Sequence, residues 1–394
     1  MMQWPVYLDN CATTACDPRV VEVMLPYFTQ HYGNAGSKGH AFGWRASSAV
    51  DRARQQVASL LHATPEEIVF TSGATEACNL ALRGVFERYA AKGNHIITVQ
   101  TEHKAVLDTC RELEKKGAEI TYLPVSTNGQ LDIALLESAI KPSTILIAVM
   151  YANNETGVLH PVKEIGALAK EKDILFFCDA TQAVGKLPVN VLQDNIDLLA
   201  FSGHKLYASK GIGALYVRRK ASRVLLSPQI TGGGQERGLR SGTLNVPGIV
   251  ALGKACAICE EEMDAALQRL SLLRDRLENV LLQLPEARLN GLNAPRLPHV
   301  TNISFRFVNS SCILSAIGGK IAASSGSACT SGSLDPSFVL KAMGIADEWA
   351  KCAIRLSLGR FTTEEEIDFC ANEIRDTVQS LRAEDPVWQM FFKD

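Results

Sequence analysis

Short apolar runs alternate with amphipathic stretches along the first half of the chain. The runs are rich in branched and aromatic side chains, as in buried strands, while apolar positions in the stretches between them recur with helical spacing. Strands that alternate with helices predict a mainly parallel sheet in an α/β layer fold. The predicted strands are 68–70, 96–99, 119–125, 144–151, 174–178, 197–201 and 213–218, and the predicted helices include 18–30, 46–61, 76–89 and 161–172.

The pattern changes towards the carboxyl end. The stretch 246–284 is almost wholly helical, and after it short strands and helices follow in mixed order up to a last predicted helix at 363–382. At 394 residues the chain exceeds one typical domain. We therefore expect a large domain at 15–260 and a smaller α+β domain formed by 1–14 together with 261–394.

Composition restricts the class of protein. Hydrophobic residues make up 46% and charged residues 21% of the chain, which is typical of a folded globular enzyme. With 40 basic and 42 acidic residues, there is no basic excess for direct nucleic-acid binding. We see no signal peptide and no apolar run near the ~18 residues that a membrane span needs, so we expect a cytoplasmic protein with no membrane partner. The 11 cysteines are then expected to be reduced thiols.

Two of the predicted strands end in charged residues. The run 174–178 leads into Asp179, and the run 197–201 leads into a segment that ends at Lys205. In open α/β sheets, ligands bind at the carboxyl ends of the strands. Pyridoxal phosphate needs a lysine for a Schiff base and an acid that keeps its pyridine nitrogen protonated, so this pair suggests that cofactor. A strand-end aspartate with a solvated surface lysine is the alternative at this point.

A glycine-containing turn, 71–75, joins a predicted strand to a predicted helix. Backbone N–H groups and the helix dipole make such a turn a candidate phosphate cradle, although turns of this kind also simply connect two elements. No metal site is predicted. Cys256 and Cys259 have CxxC spacing, but they lie in a helical pattern without a second pair or histidines at ligand spacing.

Nine blocks of sequence, spread in order over nearly the whole chain, carry a family resemblance. With these blocks the chain resembles the IscS/NifS-type cysteine desulfurases, which are class V aminotransferase-like enzymes, and among them it is also similar to DndA-like members. The resemblance implies a fold-type I pyridoxal phosphate transferase, a homodimer with shared active sites, that converts L-cysteine to L-alanine. The blocks are Leu8-Asp-Asn10, Thr71-Ser-Gly-Ala-Thr-Glu76, Thr101-Glu-His-Lys104, Asn153-Asn-Glu-Thr-Gly157, Asp179-Ala-Thr-Gln182, Ser202-Gly-His-Lys205, Arg240-Ser-Gly-Thr243, Ser324-Ser-Gly-Ser-Ala-Cys-Thr330 and Arg355-Leu-Ser-Leu-Gly-Arg-Phe-Thr-Thr363.

The resemblance implies a role for each candidate residue around the cofactor. Lys205 would form the Schiff base and move the Cα proton, Asp179 would pair with the pyridine nitrogen, and Gln182 would hydrogen-bond the phenolic oxygen. His103 would stack on the ring and take part in proton transfer, since a histidine pKa lies near working pH. The remaining cofactor-binding residues would be Ala74, Thr75, Ser202 and His204, with Thr243 reaching the phosphate across the dimer interface.

The same resemblance implies that other residues bind the substrate and transfer the sulfur. Arg355 would bind the substrate carboxylate as a bidentate fork, assisted by Asn154; a buried structural ion pair is the alternative for this arginine. Cys329 would attack the sulfur of bound cysteine and carry it outward as a persulfide, from a small-residue loop at 324–336 that cannot pack firmly. A free thiol with a pKa of about 8.5 is little ionised at neutral pH, so a proton acceptor such as His103 would be needed.

The sulfur acceptor is expected to be another protein, either an iron–sulfur scaffold or tRNA-thiolation factor, or a component of DNA phosphorothioation. The segment 33–37 is similar to desulfurases of the second kind, and the sequence ends at Asp394, short of the tail with which housekeeping members dock the scaffold. Other functions stay open. They are a degenerate cofactor fold kept as an interaction subunit, a C–S (selenocysteine) lyase without a persulfide relay, and a dinucleotide-binding module, although no GxGxxG follows the first strands.

Overall fold

The computed structural model describes residues 4–219, 223–326 and 336–391. The strands in these ranges are β1 (Val6–Tyr7), β2 (Ile68–Thr71), β3 (His95–Val99), β4 (Glu119–Leu123), β5 (Thr144–Ala148), β6 (Leu175–Asp179), β7 (Leu198–Ser202), β8 (Gly213–Val217), β9 (Ala287–Leu289), β10 (Val300–Phe305), β11 (Ile321–Ala322) and β12 (Ala353–Ser357). The helices are α1 (Pro18–Met24), α2 (Pro26–Thr29), α3 (Ala41–Leu60), α4 (Ala74–Arg88), α5 (Lys104–Glu114), α6 (Ile133–Ser138), α7 (Val162–Glu171), α8 (Val246–Leu281), α9 (Ser310–Ile317), α10 (Phe338–Ala342), α11 (Asp347–Ala350), α12 (Glu364–Ala383) and α13 (Pro386–Phe391). None of these helices has both the length and the apolar content that a membrane span requires.

The largest sheet has seven strands in the order β2-β8-β7-β6-β5-β3-β4. β8 runs antiparallel to both of its neighbours, and the other neighbouring pairs are parallel. This arrangement confirms the mainly parallel α/β sheet that the alternating pattern predicts. β6 and β7 are adjacent and parallel, with Asp179 paired to Ala200, so their carboxyl ends meet at one edge of the sheet.

Consecutive residues of the central strands are buried on opposite faces of this sheet. Phe176 packs in one core with α3, α7 and α8, whereas Phe177 packs in another with α4 and α5. Both side chains are fully buried. A parallel sheet that helices cover on both faces has no solvent-facing side, which explains why its strands are continuous apolar runs.

A further core forms around the antiparallel sheet β12-β10-β9. It is filled from α9, α12 and the end of α8, and the side chains of Val6 and Leu8 pack into it. β1 pairs with β11, and Asp9 forms a bridge to Ser357 at the end of β12. The first residues of the chain therefore join a core that the last third of the chain builds.

α8 connects the two regions without a break. Its first part, up to Cys259, packs against the large sheet, and its second part, from Leu270 to Leu281, packs in the core around β10 and β12. The domain boundary predicted at residue 260 falls inside this helix, and the boundary stays a prediction.

The helix predicted at 18–30 is wrong as a single element. Two helices, α1 and α2, stand in its place because Pro26 has no N–H to donate and its ring cannot continue a helix. Pro26 instead begins α2, where the missing N–H costs nothing. The strand predicted at 144–151 ends at Ala148, and the residues that follow it reach the cavity described next.

Candidate active site

A cavity of about 480 Å³ lies at the carboxyl edge of the large sheet, where β6 and β7 end. Arg355 of β12 lines it as well, so side chains from both regions meet there. The structure brings together almost the whole set of predicted residues, while the role of each stays a prediction. The predicted residues that line the cavity are Ala74, Thr75, His103, Asn154, Asp179, Gln182, Ser202, His204, Lys205 and Arg355.

Two predicted residues are not among these lining residues. Thr243 is exposed and lies outside this cavity. Thr243 is expected to bind the cofactor phosphate in the site of a second subunit, and this role stays a prediction. Cys329 lies outside the described residues.

Lys205 lies in a single 3₁₀ turn directly after β7. Its Nζ donates to the backbone carbonyls of Cys11 and Ala12 at 2.5 and 2.6 Å. Burial, together with the positive charges of Lys186 and Arg355, lowers the pKa of Lys205 from 10.5 to about 8. A buried amine with this pKa has a substantial neutral fraction near neutral pH, as a nucleophile towards a carbonyl carbon requires.

The cofactor-free enzyme is expected to bond pyridoxal phosphate at a rate that follows the titration of Lys205. Only the neutral amine attacks the aldehyde, so the rate should rise about tenfold per pH unit below pH 8 and level off above it. The sign follows from burial, which disfavours the charged ammonium and makes the amine neutral at a lower pH than in an ordinary lysine. Stopped-flow absorbance measures the profile, and a midpoint at the ordinary value of 10.5 would contradict the buried geometry.

Asp179 is the last residue of β6, and it is only 5% exposed. Its Oδ1 accepts a hydrogen bond from the N–H of Thr181 at 3.0 Å, and the Cys78 thiol lies 3.7 Å from Oδ2. Among the described residues, no lysine, arginine or histidine forms an ion pair with this carboxylate. A buried carboxylate in this position fits the protonated nitrogen of a pyridine ring, which would supply the opposite charge.

His103 caps the amino terminus of α5 with its ring. Its Nδ1 accepts a hydrogen bond from the N–H of Ala105 at 3.1 Å, so the neutral ring carries its proton on Nε2. Burial lowers the pKa of His103 by more than the negative charge of Asp179 raises it. The ring is therefore neutral at working pH and offers an N–H donor on the side away from the helix.

The amino terminus of α4 forms another part of the cavity wall, and its first N–H groups have no intrahelical partner. β8 passes close to the turn that precedes this helix, because Gly213 has no side chain. A Cβ on Gly213 would lie 2.6 Å from the carbonyl oxygen of Phe201 and 2.7 Å from Cα of Gly73. A tight glycine turn at a helix amino terminus fits a phosphate group.

Ser202 and His204 line the cavity beside this turn. Burial, together with the positive charges of Lys205 and Lys210, lowers the pKa of His204 to about 4. Its Nδ1 lies 3.1 Å from Oγ1 of Thr13. His204 is therefore a neutral hydrogen-bonding group towards a phosphate, while positive charge comes from the lysines around it.

An acid lies next to this phosphate cradle. Glu76, in the first turn of α4, lines the cavity, and Arg240 pairs with it at 2.8 Å from Nε to Oε1. The N–H of Ser72 donates to Oε2, also at 2.8 Å. Burial alone would raise the pKa of Glu76, but these hydrogen bonds outweigh it and the pKa is lowered. The carboxylate is thus charged, and Arg240 supplies the compensating charge.

Arg240→Met is expected to weaken pyridoxal phosphate binding roughly tenfold, which corresponds to about 1.4 kcal/mol. Without its partner, the negative charge of Glu76 repels the phosphate in a partly buried site. Equilibrium binding to the cofactor-free enzyme measures the effect. The matched control is Arg276→Met, which removes an exposed pair with Asp368, and equal affinities for both variants would contradict the expectation.

Arg355 is 1% exposed, and its guanidinium group is only partly used. Nη2 pairs with Oδ1 of Asp9 at 2.7 Å, and Nη1 donates to the backbone carbonyl of Asn154 at 2.8 Å. Nε has no partner among the described residues. The buried ion pair considered from the sequence is therefore present, yet the side chain retains a buried N–H that fits a substrate carboxylate.

The described residues on both sides of 327–335 lie against this arginine and its neighbours. Ser324 pairs with Arg355, whose N–H donates to the Ser324 carbonyl at 2.6 Å. A Cβ on Gly326 would lie 2.8 Å from Oε2 of Glu155. Ser337 donates from Oγ to the same carboxylate oxygen at 2.5 Å. The described residues that flank 327–335 thus lie against Arg355 and Glu155.

Several groups at the site carry no signal in a sequence. The backbone carbonyl oxygens of Cys11 and Ala12 accept hydrogen bonds from Lys205. Every residue type has such a carbonyl, so the residue types at these positions do not indicate the contact. Asp9 belongs to one of the nine blocks, but its contact with Arg355 joins residues at opposite ends of the chain. Lys186 lies outside all the blocks and contributes charge to the site.

Comparison with known proteins agrees with this geometry. The profile of the aminotransferase class-V family matches residues 6–369. The chain belongs to this family. The cysteine desulfurase IscS of Pectobacterium carotovorum is 53% identical over 392 residues, which cover 99% of this chain and 96% of that protein.

Two solved structures are similar over nearly the same length. A NifS-like protein has a TM-score of 0.88 at 37% identity, covering 95% of this chain and 100% of that one. SspA in complex with cysteine has a TM-score of 0.80 at 37% identity, covering 91% of this chain and 100% of that one. The fold-type I architecture predicted from the nine blocks is confirmed.

These findings establish the chemistry of the site. The enzyme is a pyridoxal-phosphate-dependent cysteine desulfurase, and L-cysteine is its substrate. The family, the cofactor and the activity that the nine blocks imply are confirmed. The degenerate cofactor fold and the C–S lyase without a relay are not favoured.

Proposed function

We propose that the enzyme transfers the sulfur of L-cysteine to Cys329 as a persulfide, releases L-alanine, and passes the sulfur to an acceptor protein. One observation carries this proposal. The cavity unites a buried amine, a buried carboxylate and an arginine whose Nε has no partner among the described residues, while Ser324 pairs with that arginine and Ser337 contacts Glu155. The balance is L-cysteine plus enzyme thiol giving L-alanine plus enzyme persulfide.

The cavity offers a partner for each part of the cofactor. The first turn of α4, with Thr75, and Ser202 and His204 would hold the phosphate, Asp179 would accept the pyridine N–H, and Gln182 would donate to the phenolic oxygen. When bound, pyridoxal phosphate withdraws electrons from the substrate and so weakens its C–S bond. The buried Asp179 carboxylate would keep the pyridine nitrogen protonated.

The substrate is held by its carboxylate. Arg355 donates from Nε, with Asp9 and the carbonyl of Asn154 fixing the remainder of the guanidinium group. The Asn154 side chain assists from the cavity wall. Lys205, once its amine is released, moves the proton at Cα, for which a pKa of about 8 is well matched. His103 donates from Nε2 into the cavity.

Sulfur transfer is a displacement at sulfur. The Cys329 thiolate forms an S–S bond with the substrate sulfur while the bond from that sulfur to Cβ breaks. The bonding electrons stay on the carbon side, and a proton added at Cβ completes L-alanine. The step needs no external oxidant, because Cβ is reduced as the two sulfurs are joined.

Mass spectrometry after a single turnover without reductant tests the proposal. One extra sulfur on the peptide that carries Cys329, in an amount equal to the L-alanine formed, is the expected result. Free sulfide equal to the L-alanine, with no sulfur on the protein, would overturn it in favour of direct release.

A homodimer completes the proposed enzyme. A band of large apolar side chains between residues 25 and 44 is exposed, and this supports a subunit interface there. Thr243 is exposed outside its own cavity, which supports a role in the site of a second subunit. Light scattering of the purified enzyme should give a mass near twice 42.8 kDa. The exposed side chains are Leu25, Phe28, Tyr32, Phe42 and Trp44.

We also propose that the enzyme works in the cytoplasm. The ten cysteines among the described residues are free thiols, as in proteins of reducing compartments. The acceptor, an iron–sulfur or tRNA-thiolation partner or a DNA phosphorothioation component, stays a prediction. Capture of proteins from the native cell with the persulfide-loaded enzyme would identify it.

A further inference from the structure

Lys186 contacts Gln182, which lines the cavity, and the proposed mechanism does not use this lysine. The Nζ of Lys186 donates to Oε1 of Gln182 at 2.9 Å. Among the described residues, no carboxylate pairs with this ammonium group; besides burial, the groups that act on its pKa are Cys11, Cys259 and Arg355. Burial lowers the pKa of Lys186, as expected for an ammonium group without an acid to compensate it.

The turn that carries Lys186 is fixed by close packing against α8. Gly185 has a positive φ of 74°, and a Cβ there would lie 2.8 Å from the Cys259 thiol. Burial raises the pKa of Cys259, so this thiol is protonated and supplies no negative charge. The lysine is thus held next to Gln182 by the backbone rather than by an ion pair.

The contact with Lys186, together with that to the Cys11 carbonyl, sets which way the Gln182 amide faces. With Oε1 turned to the ammonium group, the NH₂ group lies on the opposite side, where one N–H donates to the Cys11 carbonyl at 3.0 Å. The second N–H remains for the cavity that Gln182 lines. A flipped amide would present an acceptor there and would also put NH₂ against the ammonium group, two donors facing each other.

We propose that Lys186 is a positioning residue that holds Gln182 with its N–H towards the phenolic oxygen of the cofactor. This inference rests on the proposed function, because the contact between Gln182 and the phenolic oxygen belongs to it. The ammonium group also adds positive charge on this side of the cavity. Both effects stabilise an ionised phenolic oxygen and disfavour a proton on the nitrogen of Lys205.

The charges around Lys205 indicate the direction in which its pKa should change when Lys186 is replaced. Lys186 and Arg355 act to lower its pKa, whereas Cys11 and Asp9 act to raise it, and burial exceeds each of these. Removing the charge of Lys186 takes away one of the two cations that disfavour a protonated nitrogen. The nitrogen of Lys205 should then keep its proton to a higher pH.

The pH titration of the yellow absorbance of the cofactor-loaded enzyme tests the proposal. In Lys186→Met the midpoint should move upward by roughly half to one pH unit. Lys186→Arg keeps the charge and a donor, and its midpoint should stay close to that of the wild type. The matched control is Lys170→Met, since exposed Lys170 likewise donates to a side-chain amide, Oδ1 of Asn195 at 3.0 Å; its midpoint should not move.

A double variant separates positioning from a general effect of charge. In a Gln182→Met background, Lys186→Met should shift the midpoint by less than half of what it does alone, because the amide it positions is absent. An undiminished shift, or a Lys186→Met midpoint equal to that of Lys170→Met, would overturn the proposal. If Lys186→Met does not fold, Lys186→Gln replaces it with the same expected direction. Failure of the proposed function is a different result, a wild-type enzyme without persulfide on Cys329.

Discussion

Lys205→Ala is expected to abolish covalent binding of pyridoxal phosphate and to reduce L-alanine formation by at least about a thousandfold. The variant loses both the amine that bonds the cofactor and the base that moves the Cα proton. The cavity should survive, because within the described part of the chain the Nζ of Lys205 hydrogen-bonds to backbone carbonyls, those of Cys11 and Ala12, and to no side chain. Borohydride reduction followed by peptide mapping should label Lys205 in the wild type and no lysine in the variant.

Two other lysines provide the control for this experiment. Lys210 lines the same cavity, and Lys186 lies behind Gln182. Lys210→Ala should still be labelled at Lys205. A borohydride-stable label on Lys186 or Lys210 in the Lys205→Ala variant would show that the bonding lysine has been misassigned.

Cys329→Ser is expected to bind L-cysteine and the cofactor normally but to form no persulfide. Lys205, Asp179 and Arg355 are intact in this variant, so the spectral change on adding L-cysteine should persist. The reaction should then stop, because a serine hydroxyl is scarcely ionised at neutral pH and attacks sulfur far less well than a thiolate. Rapid-scan absorbance and L-alanine assays measure the two stages separately.

Another cysteine serves as the matched control. Cys312 is exposed on α9 and is a free thiol, so Cys312→Ser tests whether any accessible thiol suffices. It should leave persulfide formation unchanged. Full activity of Cys329→Ser, with the extra sulfur on Cys312 or Cys352, would show that a different cysteine accepts the sulfur.

The position of the site followed from two strands of the sequence. Apolar runs ending at Asp179 and shortly before Lys205 predict strands, and parallel strands deliver their carboxyl ends to one edge. The structure has β6 and β7 adjacent and parallel with both residues lining one cavity. The meeting of these two distant residues was thus predictable, because the end of each strand can be recognised from the neighbouring sequence.

Other features could not be predicted because they depend on tertiary contacts. The partner of Arg355 is Asp9, 346 residues away, and no local pattern couples them. Lys186 has the signature of an ordinary loop lysine; its contact with Gln182 joins residues four apart, but the close packing of its turn against Cys259 of α8 is a tertiary contact. The break in the helix predicted at 18–30 is different, since Pro26 was visible and its effect on the preceding turn follows from its ring.

The pairing of Asp9 with Arg355 has a consequence for the order of events during synthesis. At about 5 to 20 residues per second, the two residues emerge about 20 to 70 s apart. In the last part of that interval, once residue 205 has been added, the growing chain contains β6, β7 and Lys205, yet the arginine proposed to recognise the substrate carboxylate does not exist. A nascent chain can thus assemble most of the cofactor-binding cavity while it remains unable to draw sulfur from L-cysteine, so reactive persulfide sulfur is made only by chains that extend past Arg355.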